Sequence, residues 1–138
     1  AEFEQKAHEM AATGESLTSQ SLCSIYKKLN EDYFGPDTVT DPEIQYEWER
    51  IPHFYTPFYV YQYATGFSAA IAISRKIFNG EPGILEGYRK FLSGGCCDTP
   101  IELLKLAGVD MSHTGPVEEA LKFFEELLNE FEELVHRF

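Results

Sequence analysis

The residues best suited to chemistry lie in one stretch, positions 46–66, where five tyrosines accompany a single histidine, His53. The tyrosines are Tyr46, Tyr55, Tyr59, Tyr61 and Tyr63. Each buried phenol needs a hydrogen-bond partner, so a core that only had to be filled would use Leu or Phe instead. One interpretation is a pocket wall where phenols and an imidazole face a polar ligand. The other is a half-buried aromatic helix with its hydroxyls at the surface, and residue types alone do not choose between them.

The remaining histidines give weaker signals. The pair His8-Glu9 begins like the zinc motif H-E-x-x-H, but Ala12 stands where the second histidine is needed. We therefore expect His8 to be a surface residue. His113 is predicted in a loop and His136 at a helix end, and no cluster of histidine and carboxylate residues has the spacing of metal ligands. The sequence assigns no metal ligand in this chain.

The three cysteines, Cys23, Cys96 and Cys97, form a poor disulfide framework because their number is odd and two are adjacent. Reduced thiols in a cytoplasmic protein fit better. The turn 94–98 precedes a predicted helix and could present backbone N–H groups to an anion, although a plain turn is the commoner use of such a sequence. A thiol-dependent enzyme that uses Cys96 is a further hypothesis, which unchanged behaviour after thiol alkylation would contradict.

The charge balance excludes several classes of function. The 138 residues include 23 acidic and 11 basic side chains, for a net charge of −12. Nucleic acids and anionic lipid surfaces are bound through clustered Lys and Arg, so neither is expected as a partner. No apolar run reaches the roughly 18 residues of a membrane span. The first ten residues contain no apolar signal core, so we expect a cytoplasmic protein.

Helical patterns must position these residues, and they cover almost the whole chain. They predict helices over 2–12, 18–34, 58–78, 82–92, 99–108 and 116–138, separated by turns rich in glycine and proline. Residues 43–49 are predicted as a short helix or turn, and residues 50–53 as extended chain before and around a proline. Pro57 is predicted in the first turn of the third helix, so that Tyr59 and Tyr63 share a face four residues apart. We expect an all-α fold, formed as a single helical domain over residues 1–138.

Apolar spacing predicts which helix faces are buried. The middle of the third helix, residues 64–73, is apolar on nearly all sides and is expected to be buried on most of them. Other helices carry a single stripe: Leu22, Ile25, Tyr26, Leu29 and Tyr33 in the second, Ile84, Leu85, Tyr88 and Phe91 in the fourth, and Val117, Leu121, Phe124, Leu127, Leu128, Phe131 and Leu134 in the last. Thr99 and Glu102 are expected to form a capping box at the start of the fifth helix.

Residues 50–66, RIPHFYTPFYVYQYATG, resemble the signature stretch of the oligoendopeptidase F family, which is similar to thimet oligopeptidase. Residues 91–111, the opening AEFE and the closing PVEEALKFFEELLNEFEEL also resemble that family, so the likeness covers almost the entire chain in order. One departure is Cys96, where family members tend to have serine. The resemblance implies the C-terminal portion of a larger helical metallopeptidase catalytic domain.

The resemblance also implies roles for particular residues. In the family, a helix with H-E-x-x-H and a later glutamate bind zinc, which polarises a water molecule, and the motif glutamate acts as base. Those elements lie upstream of the segment that matches Ala1, so zinc is implied in the full-length parent and no cofactor in this chain. His53 matches the family histidine that faces the scissile carbonyl. Tyr59 matches the phenol that donates to the developing oxyanion, and Tyr55 and Tyr63 are implied as neighbouring substrate-binding groups.

Two hypotheses of function follow. The first is a C-terminal fragment of a zinc-dependent, oligopeptide-cleaving metalloendopeptidase, inactive alone, whose partners are the oligopeptide substrate and the upstream catalytic segment. Separation from that segment should expose apolar surface and favour self-association. The alternative is an autonomous helical module that binds a peptide or small ligand in the tyrosine-lined groove without hydrolysis.

Overall fold

The computed structural model describes residues 1–137, and within them the chain forms six α-helices and two 3-10 segments. The helices are α1 (Glu2–Thr13), α2 (Ser19–Phe34), α3 (Tyr61–Phe78), α4 (Ile84–Gly94), α5 (Pro100–Leu106) and α6 (Gly115–Val135). The 3-10 segments are Pro42–Arg50 and Pro52–Tyr55. No strand occurs among residues 1–137, which confirms the predicted all-α fold. No helix of that part of the chain combines the length and hydropathy that crossing a bilayer requires.

Helix ends follow the predicted turn chemistry. Gly14 ends α1 with φ of 83°, a conformation that glycine adopts without steric cost. Gly80 ends α3 in the same way, with φ of 68°. Thr18 caps α2 in a capping box with Ser21, where each side chain accepts from the other residue's backbone N–H. At α5 only half of the expected box forms: Thr99 accepts from the Glu102 N–H, while the Glu102 carboxylate pairs with Lys105.

Backbone contacts divide the chain into two compact units, residues 1–62 and 63–138. The prediction of one domain over residues 1–138 stays a prediction. The first unit is built around Phe3 of α1, which is 8% exposed. Its ring lies 5.3 Å from that of Tyr26, 5.9 Å from that of Trp48 and 5.1 Å from that of Phe54. One aromatic side chain thus joins α1 to α2 and to both 3-10 segments.

The second unit is built around small residues. Ala69, Ala72 and Ile73 of α3 form a buried cluster with Ala107 and Val109, which follow α5. Small side chains let helices approach closely, and α4 and α5 show this most clearly. A methyl group at Gly87 of α4 would overlap the carbonyl oxygen of Leu106.

Two local predictions about the segment before α3 were wrong. Pro52 and His53 lie in a 3-10 segment, and only Ile51 before them is extended. The long helix begins at Tyr61 rather than at Phe58, because Phe58 has φ of 56° and a helix cannot continue through that backbone conformation. Tyr59 therefore precedes α3, and it does not share a helix face with Tyr63.

Several predicted apolar faces are exposed. Ala69, Ala72 and Ile73 are buried along one side of α3, but Phe67 of the same helix is 69% exposed, so α3 is not buried on most sides. Tyr33 of α2 and Leu85 of α4 also face solvent, unlike the rest of their stripes. The α6 stripe is spaced as predicted and exposed along its length: Val117, Leu121, Phe124, Leu127, Leu128, Phe131 and Leu134. Among residues 1–137, large apolar side chains are thus exposed on α2, α3, α4 and α6.

Candidate functional site

The segment that carries His53 and Tyr59 is a succession of tight turns in the first unit. Pro52 starts a 3-10 segment, where its lack of an N–H costs no hydrogen bond. The segment closes with the Thr56 N–H donating to the carbonyl of His53 at 3.1 Å. The next turn is closed by the Tyr59 N–H, which donates to the Thr56 carbonyl at 3.3 Å. These two turns bring His53 and Tyr59, which are six positions apart in the sequence, into contact.

The turns place the His53 imidazole against the Tyr59 ring. The ring centroids are 5.5 Å apart and the ring planes differ by 13°, so the two rings are stacked nearly parallel. Both residues reach the surface, and Tyr59 is 36% exposed. The stack fixes the orientation of one ring relative to the other, so two hydrogen-bond donors have a defined mutual arrangement at the surface of the first unit.

A hydrogen bond to α1, at the start of the chain, holds the turn between His53 and Tyr59. The Phe58 N–H donates to Oε1 of Glu4 at 2.6 Å, and Glu4 on α1 is 5% exposed. Phe58 is the one non-glycine residue with positive φ among residues 1–137. Its ring also packs against the imidazole of His8, with centroids 4.4 Å apart. α1 therefore contacts this turn through both a buried carboxylate and a ring.

The other predicted tyrosines take different places. Tyr55 belongs to the same 3-10 segment as His53 and is 83% exposed. Tyr63 lies in the first turn of α3, in the second unit, and is 59% exposed. Tyr46 lies in the longer 3-10 segment and Tyr61 begins α3, and both are about half exposed. The ring stack that the structure shows for this group of residues joins His53 and Tyr59.

Charged and polar contacts fasten the 3-10 segment Pro42–Arg50 to α2 in the first unit. The Tyr26 hydroxyl donates to Oε2 of Glu47 at 3.1 Å, and Arg50 pairs with the same carboxylate. Partial burial, and then the hydrogen bond to Glu47, raise the pKa of the Tyr26 phenol above its usual value. The Trp48 indole N–H donates to the sulfur of buried Cys23 at 3.5 Å. This segment leads directly into the one that carries His53.

The residues considered for metal or thiol chemistry, other than His53, are His8, His113, Cys96 and Cys97. Within residues 1–137, no group of three or more His, Cys, Asp or Glu side chains is arranged to hold a metal ion. His8 is exposed, as predicted for a surface residue, and His113 accepts a hydrogen bond from the Gly115 N–H in its own loop. Cys96 and Cys97 are exposed free thiols in the turn after α4, where the Cys97 N–H donates to the Gly94 carbonyl.

Sequence reasoning missed Glu4 and Phe58. Glutamate in the first turn of a helix is ordinarily a solvated residue that complements the helix dipole, so its burial gave no signal in the sequence. Pro57 is equally compatible with a first helical turn and with a tight turn, so the positive φ of Phe58 gave none either. Only the approach of residues 4 and 58, which are 54 positions apart, reveals their contact.

Comparisons with known proteins place the chain among peptidases. The sequence profile of peptidase family M3 matches residues 1–123. Oligopeptidase PepF of Bacillus subtilis is 52% identical over 136 residues, which are 98% of this chain and 20% of that protein. The chromosomal oligoendopeptidase F of Lactococcus lactis subsp. cremoris is 50% identical over 137 residues, which are 99% of this chain and 23% of that protein.

A solved structure gives the same result for the fold. The crystal structure of oligoendopeptidase-F from Enterococcus faecium aligns with a TM-score of 0.92 at 50% sequence identity. The alignment covers 99% of this chain and 26% of that chain. The 138 residues thus span between 20% and 26% of the length of these three relatives.

Proposed function

This chain belongs to peptidase family M3, and from that premise we propose that it is one part of a larger endopeptidase that cleaves oligopeptides. The names of its relatives, oligoendopeptidase F and oligopeptidase PepF, support the substrate class. In this proposal the chain supplies hydrogen-bond donors to the scissile carbonyl. The observation that carries the assignment is the stack of His53 on Tyr59, two donors held parallel at the surface of the first unit.

The proposed role of this pair is to stabilise the oxyanion. When water adds to a peptide carbonyl, the carbonyl oxygen gains negative charge, and a donor already aimed at it binds more strongly as that charge grows. The phenol O–H of Tyr59 and an imidazole N–H of His53 are such donors. Because the two turns fix their backbones, little reorganisation is needed when the charge develops. Tyr55, which is exposed between His53 and Tyr59 in the sequence, and Tyr63, which is exposed four positions after Tyr59, are proposed as substrate-binding groups.

Zinc is the metal that the family implies, and the described residues do not fit a zinc site. The related proteins are four to five times as long as this chain. We therefore propose that the zinc ligands belong to the remainder of the parent enzyme, and that residues 1–138 alone do not hydrolyse peptides.

The test of this function is Tyr59→Phe in the full-length peptidase, with kcat and KM measured on a fluorogenic oligopeptide. Removing one oxyanion donor is expected to lower kcat by about a hundredfold, because the lost interaction is made mainly in the transition state. KM should change little, since the ring and its stack on His53 are kept.

Tyr46→Phe is the matched control. It also removes one half-exposed phenol hydroxyl from the first unit, but from the segment Pro42–Arg50, and it should leave kcat near that of the unmodified enzyme. A Tyr59→Phe enzyme whose kcat is unchanged, or whose loss is confined to KM, would show that Tyr59 is not an oxyanion donor.

A further inference from the structure

We propose that Glu4 is a positioning residue for the His53–Tyr59 pair, acting through the backbone N–H of Phe58. The inference rests on the proposed function of that pair and adds a residue that touches neither ring. A buried carboxylate needs hydrogen-bond donors, and the Phe58 N–H at 2.6 Å is one of them.

The position of Phe58 explains why this bond bears on the site. Phe58 directly precedes Tyr59, and with φ of 56° it lies in the turn that follows the 3-10 segment Pro52–Tyr55. In an extended or helical conformation at Phe58, the Tyr59 ring would leave the chain in another direction and the stack on His53 would be lost. The bond to Glu4 fixes the N–H in the geometry that this φ requires.

Phe3, the residue before Glu4 on α1, contacts the chain near the other end of this segment, beside His53. Phe3 packs on Phe54, which follows His53 directly, with ring centroids 5.1 Å apart. Adjacent residues of one helical turn therefore contact the chain next to His53 and next to Tyr59. The first turn of α1 thus contacts the residues next to both donors, Phe3 through the ring of Phe54 and Glu4 through the N–H of Phe58.

Glu4→Gln and Glu4→Asp separate this role from a role of charge. Glutamine has the length of glutamate and keeps an acceptor oxygen near the Phe58 N–H, whereas aspartate keeps the charge but withdraws the oxygen by about one C–C bond. In the full-length peptidase, positioning predicts that Glu4→Gln retains kcat within about threefold, because a neutral acceptor is about half as strong as a charged one. Glu4→Asp should lower kcat by about tenfold to a hundredfold with KM little changed.

Glu9→Gln and Glu9→Asp are the matched controls, since Glu9 is an exposed carboxylate on the same helix. Both should leave kcat and KM unchanged. A Glu4→Asp enzyme as active as Glu4→Gln, or a loss equal to that of the Glu9 variants, would overturn the proposal.

Two further measurements distinguish failure of this inference from failure of the proposed function. In a Tyr59→Phe background, Glu4→Asp should cost much less in kcat than it does alone, because both changes remove the same interaction with the substrate. Independent losses would contradict positioning through Tyr59.

Hydrogen exchange of residues 53–59 is the second measurement, and it requires no activity. It should be faster in Glu4→Asp than in Glu4→Gln, and equal rates would overturn the inference even if Tyr59 proved to be an oxyanion donor. If Tyr59→Phe leaves kcat unchanged while exchange differs as expected, the proposed function fails and the contact to Phe58 stands.

Discussion

At the scale of single residues, two free-energy contributions of similar size oppose each other at Phe58: the strain of its backbone and the hydrogen bond to Glu4. A left-handed backbone costs a residue with a Cβ roughly 1–2 kcal/mol. A hydrogen bond to a charged group contributes about 1.5–3 kcal/mol, so the Glu4 carboxylate is strong enough to offset the strain. The ring contact between Phe58 and His8 also stabilises this conformation. The contact with Glu4 of α1 therefore stabilises the conformation at Phe58.

A prediction at this scale concerns Tyr26 and alkaline pH. The raised pKa of its phenol means that the folded state favours the neutral form, so the corresponding stabilisation is present below the usual tyrosine pKa of 10.0 and is lost as pH rises through the folded value. Urea unfolding, followed by the fluorescence of Trp48, should therefore show lower stability at pH 11 than at pH 8. Tyr26→Phe should cost about 1 kcal/mol at pH 8 through the lost hydrogen bond.

The decisive comparison is the pH dependence of the variant. Tyr26→Phe should lose less stability than the unmodified chain between pH 8 and pH 11, because the variant has no phenol at position 26 to ionise. Tyr33 contributes to the alkaline loss in every variant, because its hydrogen bond to Glu2 raises its pKa too. An equal loss in the Tyr26→Phe chain would show that the contact with Glu47 is not linked to pH.

At the scale of elements, helix ends were more predictable than the start of α3. Gly14 and Gly80 end helices by their own backbone freedom, and Thr18 caps α2 with a residue three positions away, so the signal for each is local. The start of α3 depends on a carboxylate 54 positions earlier, and no local pattern contains that information. The same reason separates the candidate site residues. Residue type and resemblance predict His53 and Tyr59, which stay predictions, whereas the contact of Glu4 needed the fold.

A prediction for α4 and α5 uses two glycines of the second unit. Gly87→Ala should destabilise the chain by about 1–3 kcal/mol, because the new methyl group overlaps the backbone carbonyl of Leu106 and the two helices must separate. Gly66→Ala, within α3, meets no atom within 4 Å and should instead stabilise the chain by about 0.5–1 kcal/mol. Urea unfolding followed by circular dichroism measures both.

These two substitutions control for each other, since each adds one methyl group to a helical glycine. If both variants were stabilised to the same extent, the close approach of α4 and α5 at Leu106 would be contradicted. Lower stability of the Gly66→Ala variant would show instead that the space around Gly66 is not open.

At the scale of the molecule, the exposed apolar surface is the main departure from a self-sufficient domain. In the second unit, an open apolar groove of about 530 Å³ runs between α3, α4 and α5, lined by residues such as Ile73, Ile77 and Phe91. The α6 stripe is exposed as well. Helical spacing predicted that these faces are apolar, but spacing cannot say which part of a protein covers them. We propose that the remainder of the parent peptidase does so.

The prediction that follows is self-association of the isolated 138-residue chain, because apolar faces without a partner tend to bury one another. The weight-average mass from sedimentation should rise with concentration. Leu121→Glu, within the α6 stripe, should lower that mass at each concentration, since burying the added charge is unfavourable. Asn129→Glu adds the same charge to the polar side of α6 and should have little effect. A monomeric mass at all concentrations would contradict the prediction.

The contact between Glu4 and Phe58 also bears on the order of folding. Helices α1 and α2 form from local contacts, whereas a contact across 54 residues carries the entropic cost of closing a long loop and forms more slowly. The turn that carries Tyr59 should therefore be among the last parts of the first unit to form during refolding. On that view helical content returns before the stack on His53 does, and a chain that has recovered its helices does not yet have its donor pair in place.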